Sequence, residues 1–185
     1  MIIMVKNILI VVDMQNDFID GALANPEAQK IVPKIAELIK ADMFDEVICT
    51  MDIHNADYLD TLEGKKLPIP HCIANTDGAK IASDIRQAII YRSFYGLEYN
   101  FILKNTFATD DLLPLLKKRV ANCEAATFTF VGTCTDICVV SNALAVVNKI
   151  PNTEVEVIAE ACAGTTIENH NAALAVMKSC QINIV

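Results

Sequence analysis

Apolar positions fall along this chain in two alternating patterns. Short, nearly continuous apolar runs recur at 6–13 (KNILIVVD), 45–52 (DEVICTMD), 99–104 (YNFILK), 126–131, 153–160 (TEVEVIAE) and 182–185 (INIV). Runs of that length, rich in Val, Ile and Phe, suit strands buried on both faces of a parallel sheet. Between them, residues 26–41, 79–91, 109–121, 138–147 and 166–179 space their apolar side chains as helices do, with Ile31, Ile35, Leu38 and Ile39 in the first. Pro33 marks the expected start of that helix, because proline is tolerated in a first turn. Asp110 and Asp111 are expected in the first turn of the third helix, with Lys117, Lys118 and Arg119 in its last. Residues 53–75, holding Gly64, Pro68 and Pro70, form a long irregular connection, a kind more often functional than structural.

Strand and helix alternate throughout, which predicts an α/β fold: a three-layer α/β/α sandwich around a mostly parallel sheet of about six strands. With 185 residues and no linker or repeat, the chain reads as a single domain over 1–185. In open α/β sheets the ligand crevice lies outside the carboxyl ends of the strands. Asp13, Asp52, Lys104 and the turn from Thr133 to Cys138 each stand at such an end, so they are expected to converge on one rim.

Composition narrows the partners. The net charge is -8, and the only basic cluster is the short run at 117–119, so nucleic acid is not an expected partner. Apolar residues make up 53% of the chain, yet charges interrupt every long run, so no membrane span is expected. The apolar opening, MIIMVKNILIVVD, has its first cation after the apolar start and reads as the first strand of a cytoplasmic protein. Seven cysteines without framework spacing fit reduced, mostly buried thiols. The high apolar fraction points to a subunit interface, and a homo-oligomer is expected.

Four groups carry candidate chemistry. Cys138 falls in the first turn of a helix entered from a strand, where unpaired N–H groups and the helix dipole favour a thiolate; it is equally a buried helix cysteine. Cys134, four residues earlier, leaves open a C-x-x-x-C metal or redox pair and hence a non-catalytic redox or binding module. Asp13 is either a loop cap or a base for a nearby thiol, and Lys104 either a solvated strand end or a cation beside that thiol. Asp52 and His54 in D-x-H spacing, with His71 following, make a three-ligand set for Zn²⁺ or a similar divalent ion.

Three motifs in order resemble the isochorismatase-like cysteine hydrolases: VVDMQNDF at 11–18, KNTFATDDL at 104–112 and GTCTDICVVSNAL at 132–144. Within that superfamily the chain is most similar to the nicotinamidases, through Asp52, His54 and His71 and through HCIANTDGA at 71–79. The resemblance implies a Rossmann-like hydrolase fold and a triad in which Asp13 deprotonates Cys138 while Lys104 stabilises the charges. It implies a thioester intermediate and an oxyanion hole of the Cys134 and Cys138 backbone N–H groups around a cis Thr133–Cys134 peptide. Substrate contacts would come from Phe18, Thr133 and Cys134. The metal, Zn²⁺ with Mn²⁺ or Fe²⁺ as alternatives, would rest on Asp52, His54 and His71. Its substrate would be a small amide, nicotinamide, released as nicotinate plus ammonia. Nicotinamidases place a Trp-Pro ahead of the metal histidine; here Pro68 and Ile69 stand there and tryptophan is absent. Phe94, Tyr95 and Phe107 are then the candidates for the second face of the pocket. Another amide, ureido or carbamoyl substrate remains the alternative.

Overall fold

A computed structural model of the protein describes residues 5–121, 123, 125–151 and 153–185; the first four residues, read above as leading into the first strand, lie outside these. Six strands, β1 (Val5–Val12), β2 (Glu46–Asp52), β3 (Glu98–Lys104), β4 (Ala125–Thr133), β5 (Glu154–Ala163) and β6 (Asn183–Ile184), form one sheet. Their order is β3-β2-β1-β4-β5-β6, and every described pairing is parallel.

The centre of β1 shows why continuous apolar runs become strands here. Ile8 to Val12 are all fully buried. Leu9 and Val11 pack under α2 (Pro26–Lys40) and α4 (Ser83–Ser93), whereas Ile8, Ile10 and Val12 pack under α5 (Leu112–Val120), α6 (Val140–Lys149) and α7 (Ile167–Ser179). A period of two thus fills two separate cores, giving the expected three layers. The short α1 (Asn16–Ile19) follows β1 directly.

Helix α2 begins at Pro26 rather than at Pro33. Asn25 caps it by accepting from the Glu27 N–H at 2.9 Å, and Pro26 takes the first helical position, where the missing donor costs nothing. Pro33 sits inside the helix on its exposed side. A proline there costs about 3 kcal/mol, against roughly 1.5–3 kcal/mol for each of the buried Ile31, Ile35 and Ile39. Asp110 and Asp111 precede α5 instead of lying in its first turn. The connection 53–75 is more ordered than expected: a 3₁₀ turn at Tyr58–Asp60 leads into α3 (Leu62–Lys66), capped by Thr61, and the Tyr58 hydroxyl donates to the Leu67 carbonyl at 3.0 Å.

From β1 the chain winds outward through β2 to β3, then crosses to β4 and winds the other way. The order therefore reverses between β1 and β4, which opens a crevice beyond their carboxyl ends. Gly132 lets these two strands approach: its φ is +118°, and a Cβ there would collide with the Val12 carbonyl.

Candidate active site

Asp13 is the first residue past β1, held at a φ of +49° with its N–H donating to the Thr50 carbonyl at 3.2 Å. Its carboxylate accepts from the Thr50 hydroxyl at 2.6 Å and lies 2.6 Å from the Lys104 Nζ. Lys104 ends β3, two strands from Asp13, about 10 Å across the sheet. A long side chain is needed to cover that distance. Its Nζ also lies 3.6 Å from the Cys138 Sγ and 3.6 Å from an Asp52 oxygen. All four side chains are buried.

Burial pushes the Asp13 carboxyl above its ordinary range, while the Lys104 ammonium pulls it back. Burial disfavours charge on Lys104, but the Asp13 carboxylate, Cys138 and Asp52 outweigh it and keep the ammonium charged. Cys138 differs from the helix-dipole expectation. Burial first, and the Asp13 carboxylate second, hold its thiol well above the ordinary value. Cys138 is thus held as a neutral thiol beside the Asp13–Lys104 pair.

The turn carrying Cys138 is a single π-helical turn, Thr135–Val139, ahead of α6. The Cys134 carbonyl accepts from the N–H groups of Ile137 and Val139, both at 3.1 Å. The Thr133–Cys134 peptide is cis. Buried Asn142 joins this turn to the loop after Lys104: its amide donates to the carbonyls of Phe107 (3.1 Å) and Cys138 (2.8 Å), and its oxygen accepts from the Thr109 N–H at 3.2 Å.

Cys134 and Cys138 open onto a cavity of about 420 Å³, whose lining combines apolar Phe18, Leu23, Pro26, Leu67, Phe107 and Ile137 with polar Asp52, Glu63 and His71. The size and mixed lining suit a small, largely apolar ligand with a few fixed polar contacts. Phe18 and Phe107 line this cavity, whereas Phe94 and Tyr95 stay exposed past the end of α4. Thr133 is buried behind the wall, its hydroxyl donating to the Ala163 carbonyl at 3.1 Å.

Beside the cysteine, Asp52, His54 and His71 present donor atoms all within 4.8 Å of one another. His71 Nδ1 lies 2.8 Å from the Ile69 carbonyl, a contact that orients the ring with Nε2 toward Asp52 Oδ2, 3.5 Å away. His54 Nε2 is buried with no hydrogen-bond partner, although Asp52 Oδ2 is 2.8 Å away. Burial would raise the Asp52 carboxyl, but the two imidazoles and Lys104 hold it well below the usual range. An anionic oxygen, an unpartnered imidazole nitrogen and a second oriented imidazole are a donor set that fits a divalent ion.

Sequence reasoning missed four supporting residues. Glu63, on α3, brings an oxygen to 3.9 Å from His54 Nε2 and 4.0 Å from His71 Nε2. Its signal was a carboxylate within the histidine-bearing loop. Gln15, buried, fixes the end of β2: it accepts from the Asp52 N–H and donates to the Asp52 carbonyl, each at 2.7 Å, and to the Ala79 carbonyl at 2.9 Å. Tyr58 packs its ring 4.7 Å from His54 and 5.0 Å from His71. Asn142 falls within the 132–144 motif, but nothing in its spacing on α6 marked it as the tie between that turn and the loop after Lys104.

A buried Asp, Lys and Cys at the reversal point of a parallel sheet, next to an Asp-His-His cluster, define a class. The chain belongs to the isochorismatase family, whose isochorismatase domain matches residues 7–185. Within it, the chain is similar to the nicotinamidase of Schizosaccharomyces pombe, 27% identical over 96% of this chain and 91% of that protein. It is also similar to the nicotinamidase/pyrazinamidase of Bacillus subtilis, with 27% identity, a TM-score of 0.81 and coverage of 97% and 99%. The pyrazinamidase of Pyrococcus horikoshii, solved in complex with zinc, matches at 28% identity and a TM-score of 0.74, covering 97% and 98%.

Proposed function

We propose that this chain hydrolyses a small aromatic amide, nicotinamide first among them, to the acid and ammonia, using Asp13, Lys104 and Cys138. The observation that carries the reading is the continuous contact from the Asp13 carboxylate through Lys104 to the Cys138 sulfur at the cavity wall. Asp13 takes the thiol proton as the sulfur attacks the amide carbonyl, and Lys104 offsets the charge that would otherwise build up on two buried anions. The proton passes from Asp13 to the departing nitrogen, leaving a thioester on Cys138. Water, deprotonated by Asp13, then releases the acid. The backbone N–H groups of Cys134 and Cys138 are the proposed donors to the tetrahedral oxygen.

Asp52, His54 and His71, with Glu63 as a fourth donor, would hold the divalent ion, Zn²⁺ ahead of Mn²⁺ or Fe²⁺. When bound, the ion supplies a positive charge that orients a ring nitrogen or a water. Phe18 and Phe107 flank the substrate ring. Because Leu67 lines the wall and neighbouring Pro68 and Ile69 supply no tryptophan, a second reading keeps the triad and takes another small amide, ureido or carbamoyl group. The redox-module reading has less support: burial pushes the Cys134 thiol up to about 11 and Cys138 up as well, whereas reactive couples need accessible thiolates. The proposed setting is cytoplasmic.

The test is ammonia release from a panel of small amides by the zinc-loaded protein. Turnover of nicotinamide that disappears in Cys138→Ala supports the proposal. Turnover only of a ureido or carbamoyl compound supports the second reading, and equal turnover by Cys138→Ala removes the nucleophile.

A further inference from the structure

We propose that two copies of this chain associate through the outer edge of β3, the strand pairing antiparallel with its own image across a two-fold axis. The surface is the outward edge of the strand that ends at Lys104, and the inference does not depend on the reaction proposed above.

The sheet has two ends, and they are unlike. At one, β6 is two residues long, too short to template another strand. At the other, β3 runs for seven residues. The Glu98 N–H donates to the Asp45 carbonyl at 3.2 Å, and the Lys104 carbonyl accepts from the Ile53 N–H at 2.8 Å. In a parallel strand alternate residues serve the same neighbour. Glu98, Asn100, Ile102 and Lys104 therefore face β2, and the N–H and C=O groups of Tyr99, Phe101 and Leu103 point off the sheet.

Those same three residues expose their side chains, by 45%, 44% and 58%. Soluble proteins blunt a long free edge with Lys, Pro or a bulge, because it otherwise recruits another strand. This edge carries Tyr, Phe and Leu, and residues 99–103 hold no charge at all. The Tyr99 and Phe101 rings meet at 5.9 Å. Just upstream, Phe94 is 81% exposed and the Tyr95 ring lies tilted 5.1 Å from Tyr91, before the turn at Gly96 enters the strand.

A second copy is the occupant these features fit. A strand meeting itself across a two-fold must run antiparallel, so an axis through Phe101 sets Tyr99 opposite the partner's Leu103 and Phe101 opposite the partner's Phe101. Apolar meets apolar, and no like charges are brought together. Five aromatic rings and one leucine, each roughly half exposed or more, present about 600 Å² at ~150–250 Å² per whole aromatic side chain. With the strand backbone this approaches the ~800 Å² per partner of a stable interface.

The measurement is solution mass by sedimentation velocity at ~100 µM, where even a micromolar dimer is assembled, together with amide exchange. Wild type is expected at twice its 20.2 kDa chain mass, or a higher even multiple. The Phe101→Lys, Leu103→Lys double variant should fall to half the wild-type mass, and Ile167→Lys, exposed on α7, should leave it unchanged. In wild type the amides of Tyr99, Phe101 and Leu103 should be protected, and lose that protection on dilution. A monomeric wild type, or a folded double variant that keeps the wild-type mass, overturns the proposal. Should the double variant not fold, unprotected amides at 99, 101 and 103 overturn it and concentration-dependent protection upholds it.

Discussion

Replacing Lys104 with methionine keeps the length and apolar stem of the side chain and removes only its charge. Asp13, fully buried, then loses the ammonium 2.6 Å from its carboxylate and keeps one hydrogen bond, from Thr50. Breaking a buried pair by deleting one partner costs about 3–5 kcal/mol when the other charge must stay. Asp13 has an escape, which is to bind a proton. From its ordinary value of 3.8, protonation at pH 7 costs about 4.4 kcal/mol, and at pH 5 only about 1.6 kcal/mol. Those figures are ceilings, because burial already raises this carboxyl in the wild type.

The variant's folded state then holds a proton that its unfolded state releases above pH 4. Its destabilisation is absent in acid and grows as pH rises. Lys104→Met should lose about 2–4 kcal/mol at pH 7 and under about 1.5 kcal/mol at pH 5. Urea unfolding of both proteins across pH 5 to 8, compared at the transition midpoints, measures the difference. A loss that is the same at every pH, or below about 0.5 kcal/mol throughout, would refute the buried ion pair.

Further outcomes follow from other parts of the fold. Burial pushes the thiols of Cys49 and Cys162 up to about 12 from 9.0, so their contribution is complete below pH 9 and is lost as pH rises toward 12. Each should cost about 1.4 kcal/mol at pH 10, and a Cys49→Ala, Cys162→Ala variant should show a shallower alkaline fall in urea midpoint. Both thiols should resist iodoacetamide at neutral pH, while exposed Cys180 reacts. Glu63→Gln should weaken zinc binding by ~10- to 100-fold in a competition titration, with the unfolding midpoint of the zinc-free protein unchanged. Asn142→Ala should lower kcat for ammonia release by ~10-fold or more through loss of its ties to Phe107 and Thr109, and Asn142→Asp, which keeps the acceptor for Thr109, should recover part of it.

How much of this was legible depended on whether one face or one contact decided the outcome. β1 was readable because both faces of five successive residues are buried, and apolar continuity records that directly. The start of α2 was not, because a single Asn25 hydrogen bond decides it and Pro33 gives the same signal as Pro26. Asp13, Asp52, Lys104 and Cys138 were legible together because strand ends share a rim, a property of topology rather than of any one residue. The protonation of Cys138 was not, since it follows from burial that only tertiary packing creates. Glu63 escaped notice for a related reason: α3 is five residues long, too short for a period, so its carboxylate reads as an ordinary solvated charge. The exposed alternation at Tyr99, Phe101 and Leu103 was visible only as a short strand, because sequence does not say which strand lies at the edge.

The central claim is that the Cys138 sulfur attacks the amide carbonyl and carries the acyl group. It is tested most directly by quenching the zinc-loaded protein in acid during turnover of nicotinamide and mapping the cysteine peptides by mass spectrometry. A nicotinoyl adduct confined to the peptide with Cys138, accumulating in the first turnover and decaying as substrate is exhausted, is the predicted result. Ammonia release with every cysteine unmodified, or with the adduct on Cys134, would contradict it.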